Sequence, residues 1–407
     1  KVVISALTLY AVSVVSVTAD SSRLNLVVTD SDIEAVRASQ NDPLIGASLD
    51  RKAASVETAI REGIVVPYPK DAGGGYTHEQ HKRNYKAMRS AGLLYQVTGQ
   101  RGYADYVKSM LFAYAEIYPD LPLHPQKKEQ SPGRLFWQSL NEAMWLVYVS
   151  QAYDLIDETL SEDERRVISE NLLFPMADFL SEGQPDTFDK IHNHGTWAAA
   201  AVGMTGYVTG RSDYVNRALY GLSGEGDAGF LRQLDELFSP DGYYTEGPYY
   251  QRFALMPFVW FAEAVDNNEP SRAIFSYRDG IIVKAIYTAI NLSYNGLFFP
   301  INDALTDKGL DTDELIHAIP VAYGVNNDAS LADIVRKQSW TSLSSGGVAL
   351  AELVSANKVE PFSFMSRQYR DGSEGRSGAL SVLRNGDSET GTTVVVKNTS
   401  QGMGHGH

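Results

Sequence analysis

Cysteine is missing altogether from these 407 residues, which excludes disulfides, thiolate metal sites, cysteine nucleophiles and a lipid-modified N-terminal cysteine. Positive charge is scarce: 35 Lys and Arg stand against 50 Asp and Glu, a formal charge of −15. Neutralising a phosphate backbone takes a basic surface, so no nucleic acid partner is expected, although a local basic pocket for one anionic sugar is still allowed. After the N-terminus there is no apolar run long enough to span a membrane. Strand patterning is almost absent before residue 340.

What is present is a large supply of core-forming residues, 43% hydrophobic and 11% aromatic with 23 Tyr, enough to rule out disorder. A tyrosine-rich core is the plain explanation of the aromatics, and a stacking groove is the other. Lys1 leads an apolar stretch from Val2 to Val17 that exits through Val17-Thr18-Ala19, the pattern of a signal peptide over residues 1–19. It falls short of the about 20 apolar residues of a spanning anchor. Export to the periplasm or medium is expected, with no membrane insertion once the signal is removed. The chain lacks an initiator Met and stops at Gly406-His407 inside a motif, so it reads as a piece of a longer protein.

From about Thr29 to Lys337 the apolar spacing is helical. Thr29 or Asp30 caps the first helix. Others are expected over Leu44–Glu62, Thr77–Gly99, Tyr103–Ile117 and Phe136–Leu155, and after a capping box at Ser161–Glu164. Further helices fit Thr196–Val208, Tyr214–Leu222, Gly229–Phe238, Tyr250–Val265, Ser271–Leu292, Asp313–Ala322 and Leu331–Gln338. Two hairpins look alike: Tyr95 to Gly99 followed by Tyr103, and Tyr207 to Gly210 followed by Tyr214. About a dozen helices with this repeated turn favour stacked helical hairpins, either a solenoid or a closed α/α toroid. Near Thr341 the character changes. Gly378–Arg384, a turn at Asn385-Gly386-Asp387, and Thr392–Lys397 read as strand, turn, strand. The expected division is a toroid over 20–340, then a linker and the start of a truncated antiparallel β-sheet domain over 341–407.

Three clusters carry chemistry. Ile191-His192-Asn193-His194-Gly195-Thr196-Trp197 meets the start of an apolar helix, where Asn and His side chains and free backbone N–H groups can present donors to an anion. A capping loop with a buried His is the plainer alternative. The run Ser239 to Arg252 packs four Tyr, one Arg and two acids into a Gly/Pro-punctuated loop, the kind of segment that carries function on a rigid scaffold. Packing between helices suits some of these tyrosines. It suits Tyr250 and Arg252 less well, since they fall in a first helical turn facing a cleft. Third, His405 and His407 in Gly402–His407 share one face if the segment is strand, a spacing for two metal ligands or for one ligand beside a catalytic group. A flexible Gly/His tail is the alternative.

Together Asn193–Trp197, Asp241–Arg252 and Gly404–His407 resemble polysaccharide lyase family 17 alginate lyases, within the heparinase II/III-like lyases, in order and spacing across nearly the whole chain. The resemblance implies an N-terminal α/α toroid, a C-terminal antiparallel β-sheet domain, and alginate oligosaccharide bound between them. It implies exolytic β-elimination, in which the C5 proton of a uronate leaves and the C4 oxygen is expelled. Such chemistry needs donors to neutralise the carboxylate, a base and an acid. Asn193 and His194 suit the first role and Tyr250 suits proton transfer. A tyrosine of ordinary pKa about 10 serves as an acid unchanged, but as a base needs a nearby cation, for which Arg252 is the candidate. By the same resemblance His405 joins the active site, Lys128 binds substrate, and His407 is a ligand of a structural zinc completed beyond this chain. No catalytic cofactor is implied, and a homodimer is compatible. Gln138 and Asn141, three apart on the expected Phe136 helix, line the groove or satisfy the core equally well.

Two other activities compete. One is a lyase of the same architecture acting on a heparan- or chondroitin-type uronate polymer, for which this acidic chain offers few basic residues near its motifs. The other is an α/α-toroid glycoside hydrolase with Asp241 and Glu246 as its carboxylate pair. A non-catalytic carbohydrate-binding scaffold is a third possibility, against which the wealth of proton-transfer groups argues.

Overall fold

Helix boundaries follow from capping chemistry. In the computed structural model, which describes residues 24–386, 391–399 and 402, α1 (Asp30–Ala38) opens on a capping box. The Thr29 side chain accepts from the Asp32 N–H, and Asp32 accepts from the Thr29 N–H. Asp42 caps α2 (Pro43–Glu62), with Pro43 at its first position. α3 (Tyr76–Thr98) closes on Gly99 in the left-handed conformation and α4 (Arg101–Ile117) follows at once. α5 (Ser139–Asp154) comes next, then α6 (Glu162–Ile168), opened by the Ser161–Glu164 box. A π-helical turn at Ser169–Leu173 leads into α7 (Phe174–Leu180), where Pro175 removes a backbone donor and widens the helix. After the short α8 (Pro185–Phe188), α9 (Asn193–Thr209) ends on left-handed Gly210 before α10 (Ser212–Tyr220). The two matched hairpins thus turn in the same way.

α11 (Gly229–Leu237), α12 (Pro248–Asn268), α13 (Tyr277–Asn291), α14 (Asp313–Asn326) and α15 (Leu331–Gln338) complete the expected set. Burial sorts them into two layers. α5 and α9 are buried almost all round, and α10 and α15 bury one stripe only. The inner series α3, α5, α9, α12, α14 packs neighbour to neighbour, with α2, α4, α10, α13, α15 outside it. Small residues allow the closeness: a Cβ on Gly203 of α9 would sit 2.2 Å from the Phe261 ring of α12. This is an α/α toroid of helical hairpins, and it is incomplete. α14 and α3, the ends of the inner series, make almost no direct packing contact. Among the described residues no helix is long and apolar enough to cross a membrane.

Two expectations are corrected. Phe136, Trp137 and Gln138 are not helical. α5 begins at Ser139 and Gln138 precedes it in extended backbone, so Gln138 and Asn141 do not share a helical face. Second, residues 341–355 do not leave the helical layer. Ser344 caps α16 (Ser345–Ser355), which packs on α14, α15, α1 and α2. Gly346 and Gly347, which mask it in the sequence, are there for close approach: their Cβ atoms would lie 2.4 Å from Pro320 O and 2.1 Å from Ser342 O.

The strands are few. β1 (Ser293–Tyr294) and β2 (Leu297–Phe298) form a small hairpin through Asn295-Gly296, both at positive φ. β3 (Arg367–Asp371), β4 (Ser377–Asn385) and β5 (Thr392–Lys397) form an antiparallel sheet in that order. β3 was not expected from the sequence. The inner face of the sheet places Tyr369, Leu380 and Val382 against Tyr243, Leu292 and Phe299, which ties it to the loop ahead of α12. The expected signal segment and both C-terminal histidines, His405 and His407, lie outside the described residues.

Candidate active site

The N-terminus of α9 is shaped by a glycine. A Cβ on Gly195 would lie 2.1 Å from Lys190 O and 2.8 Å from Gln233 Nε2, so only glycine lets the chain fold back on itself there. Fully buried Gln233 holds the fold-back: its Nε2 donates to Lys190 O at 2.7 Å, and its Oε1 accepts from the His192 N–H at 3.0 Å and the Thr196 hydroxyl at 3.2 Å. His192 is the N-cap, its Nδ1 accepting from the His194 N–H at 3.3 Å. Asn193 and His194, the expected donors, therefore occupy the first turn of α9 rather than a preceding loop.

Across from them, the loop before α12 contributes Glu246, which has no solvent exposure. Asn193 Nδ2 donates to its Oε2 at 3.2 Å and Oε1 at 3.4 Å, and His192 Nε2 lies 3.5 Å from Oε1. Since His192 Nδ1 accepts a hydrogen bond, its proton sits on Nε2, facing the carboxylate. Glu246 is thus the organiser of the corner. It fixes Asn193 with one N–H engaged and leaves the second amide hydrogen for another acceptor. With no exposure it meets no substrate, and Asp241 is engaged with the Arg370 N–H at 3.1 Å. The hydrolase alternative loses its carboxylate pair.

His194 is held neutral. Burial first, then His192, Lys128 and Lys190, pull its pKa down to about 4. That sensitivity also places the Lys128 charge near His194, with the ammonium 6.0 Å from the Trp137 ring centre.

The four loop tyrosines divide. Tyr243 and Tyr244 are core residues, whereas Tyr249 and Tyr250 stay partly exposed, their rings edge to face at 4.9 Å. The Tyr250 hydroxyl is held above its ordinary pKa by burial first, then by Tyr249, Asp303 and Glu246. Arg252 opposes these only weakly. The reason lies in the partners of Arg252. Its Nη1 donates to Glu314 Oε1 at 2.6 Å in a nearly buried pair, and its guanidinium lies 4.6 Å from the Tyr249 ring centre. Arg252 acts in the expected direction but is outweighed, so the Tyr250 pKa is raised rather than lowered and the phenol stays protonated at neutral pH.

The structure therefore brings Asn193, His194, Lys128 and Tyr250 around one corner, with Arg252 behind Tyr249. Gln138 and Asn141 pair with each other, Nε2 to Oδ1 at 3.0 Å. Sequence reasoning missed Gln233, Glu314 and Gln251. Gln251 Nε2 donates to Gly242 O and Ala285 O at 2.9 Å each, stapling the tyrosine loop to α13. A polar residue inside an apolar helical run was the available signal. Among the described residues no group of three His, Asp or Glu side chains could hold a metal.

Fold and site define a class: an α/α toroid with amide, imidazole and phenol side chains gathered at the N-termini of its inner helices. Residues 31–296 match the alginate lyase family model, and the chain belongs to that family. It is 55% identical over 384 residues to an exo-oligoalginate lyase of Saccharophagus degradans, covering 94% of this chain and 52% of that protein. The chain spans about half the length of the curated relatives it matches. Among solved structures it is similar to an alginate lyase from Bacteroides ovatus, with a TM-score of 0.55 at 14% identity over 78% of this chain and 96% of that one. Heparinase III gives 0.54 at 16% identity over 94% and 55%. At those identities the likeness speaks for the fold alone.

Proposed function

We propose that the protein is an alginate or oligoalginate lyase that cleaves 4-O-linked uronate by β-elimination, exolytically, after export to the periplasm or medium. The observation that carries this reading is the Glu246 corner, where an oriented amide, a neutral imidazole and a protonated phenol converge. In the proposed reaction Asn193 Nδ2 and the His194 ring N–H donate to the uronate carboxylate, bonds that strengthen as it becomes enolate-like. Tyr250 protonates the departing C4 oxygen, the role its raised pKa favours. His194, neutral at working pH, is the base candidate for the epimer whose C5 proton faces it. Lys128 and Arg252 are proposed to bind the sugar chain, with Gln138 and Asn141 on the groove wall and His405 joining the site. The heparan- or chondroitin-type alternative has no specific observation in its favour.

A structural zinc held through His407 is also proposed. The described residues do not by themselves make such a site, and no step of the reaction is routed through it. A homodimer is likewise a proposal.

The test is incubation with alginate oligosaccharides, following the ultraviolet absorbance of a new C4–C5 double bond, with Tyr250→Phe alongside. A rise that vanishes in the variant supports elimination through Tyr250. New reducing ends without absorbance would overturn the lyase reading. Absorbance on another uronate polymer only would overturn the substrate.

A further inference from the structure

Where the inner series fails to close, between α3 and α14, lies a cavity of about 200 Å³. α2, the segment before α16 and the residues ahead of α1 also line it, and none of the candidate active-site residues does. Its charge is opposite to that of the molecule. Arg51, Lys52, Lys86 and Arg89 line it, and among the described residues Asp313 is the only carboxylate that does so, in a chain carrying −15 overall. The lining His317 adds no free charge, because its Nε2 is 2.6 Å from Glu263 Oε2.

The cations are arranged and largely uncompensated. The Arg51 guanidinium lies 4.5 Å from the Trp340 ring centre and that of Arg89 4.7 Å from Trp260. Stacking on an indole holds a guanidinium in place and leaves its in-plane N–H groups for an acceptor. Among the described residues Arg89 commits only Nε, to Gln151 Oε1 at 2.6 Å. Among the described residues Lys52 makes no hydrogen bond or ion pair. Burial, then Arg89, pulls its pKa down to about 8, and Asp313, the one acid that acts on it, does not offset the burial and the neighbouring cations. Lys86 alone reaches Asp313, at 3.4 Å across the gap, and both side chains are half exposed. Two further lining residues hold unmet polar atoms: Thr341 Oγ1 and Trp260 Nε1 are buried without a hydrogen-bond partner. Buried polar atoms left unpaired are rare and point to an absent partner.

We propose that this seam is a binding site for a small oxyanion, a carboxylate-bearing sugar acid or an inorganic oxyanion, held by Arg51, Lys52 and Arg89. The volume lies below the roughly 300–1,000 Å³ of drug-sized pockets, so a single sugar acid or a tetrahedral anion fits and an oligosaccharide does not. The proposal stands apart from the lyase reading, because its evidence is the seam alone and its readout is binding.

The test is calorimetric titration of the 407-residue chain with sodium glucuronate, sodium sulfate and glucose at constant ionic strength. Glucuronate or sulfate should bind saturably and glucose should not. Arg51→Gln and Lys52→Gln should each weaken binding about tenfold, the effect of removing one charge contact to a bound anion. Arg51 is exposed, so its variant tests the site without threatening the fold, and thermal melts check both. His194→Ala should leave this binding intact, which separates it from uronate held at the active site. Tighter glucuronate assigns the sugar acid, and equal or tighter sulfate assigns the inorganic ion. No saturable binding of either anion, binding indifferent to both seam variants, or binding lost in His194→Ala alone would overturn the proposal.

Discussion

Asp313 and Glu314 are neighbours at the start of α14, yet their carboxylates serve opposite environments. Glu314 turns to the candidate active site and pairs at 2.6 Å with Arg252, both groups nearly buried. Asp313 turns to the seam and meets Lys86 at 3.4 Å in the open, one acid among four bases. At the active-site corner the two buried acids are answered: Glu246 by Asn193 and His192, and Glu314 by Arg252. At the seam the charges are left over. Local compensation rigidifies a site that must orient donors for chemistry, whereas surplus charge suits a site that waits for a ligand to complete it.

That contrast can be broken at several points. The largest effect is expected at Tyr250, where Tyr250→Phe should lower elimination by about 10²–10⁴-fold, the usual worth of one proton-transfer group. Steady-state kinetics on oligoalginate measures it. Next, Arg252→Met strands Glu314 and should cost about 3–5 kcal/mol in denaturant unfolding, much of it recovered when Glu314→Leu is added. Lys86→Met, by comparison, should cost no more than about 1 kcal/mol. Equal costs would erase the distinction between the two pairs. Glu246→Gln removes the charge that orients Asn193 and should lower kcat by about 10²-fold with little change in KM. A rise confined to KM would count against an orienting role.

The smallest effect is on pH dependence. His194 has a folded pKa of about 4 against about 6.5 in the unfolded chain, so between these values the unfolded state binds more protons and stability falls as pH falls. The slope from this one group is at most about 1.4 kcal/mol per pH unit. His81, pulled down to about 3 chiefly by burial, extends the loss below that window. His194→Gln should flatten the stability curve between pH 4 and 6.5 and leave it unchanged above. An unchanged curve would place the His194 imidazole in water.

Much of the helical layer was legible because its signals are local. Thr29, Ser161, Gly99 and Gly210 act within one turn of their own position, and most expected helices fall within a few residues of the observed ones. The exception is Ser271–Leu292, whose first part is broken by left-handed Arg278, Asp279 and Gly280. The misses have physical causes. α16 begins with two glycines, poor helix formers chosen here because Pro320 and Ser342 approach so closely. Phe136 and Trp137 are apolar enough to extend α5 on paper, yet buried Glu142 accepts from the Arg134 N–H at 2.7 Å and the Leu135 N–H at 3.2 Å and holds the loop open. At the site, Asn193, His194 and Tyr250 stood out as motif residues. Glu246 was legible only as an acid, and its reading as half of a hydrolase pair failed because burial could not be seen.

What the sequence determined by itself is therefore what nearest neighbours decide: where most helices start and stop, and which residue types stand ready for proton transfer. The tertiary structure alone decided the pairings. Asn193 meets Glu246 from 53 residues away and Arg252 meets Glu314 from 62, while Asp313 beside it is left to the seam. Those meetings depend on how the helical hairpins stack and on where the ring stays open. A side chain's charge is written in the chain, but its partner, its burial and hence its pKa come only from the packing around it.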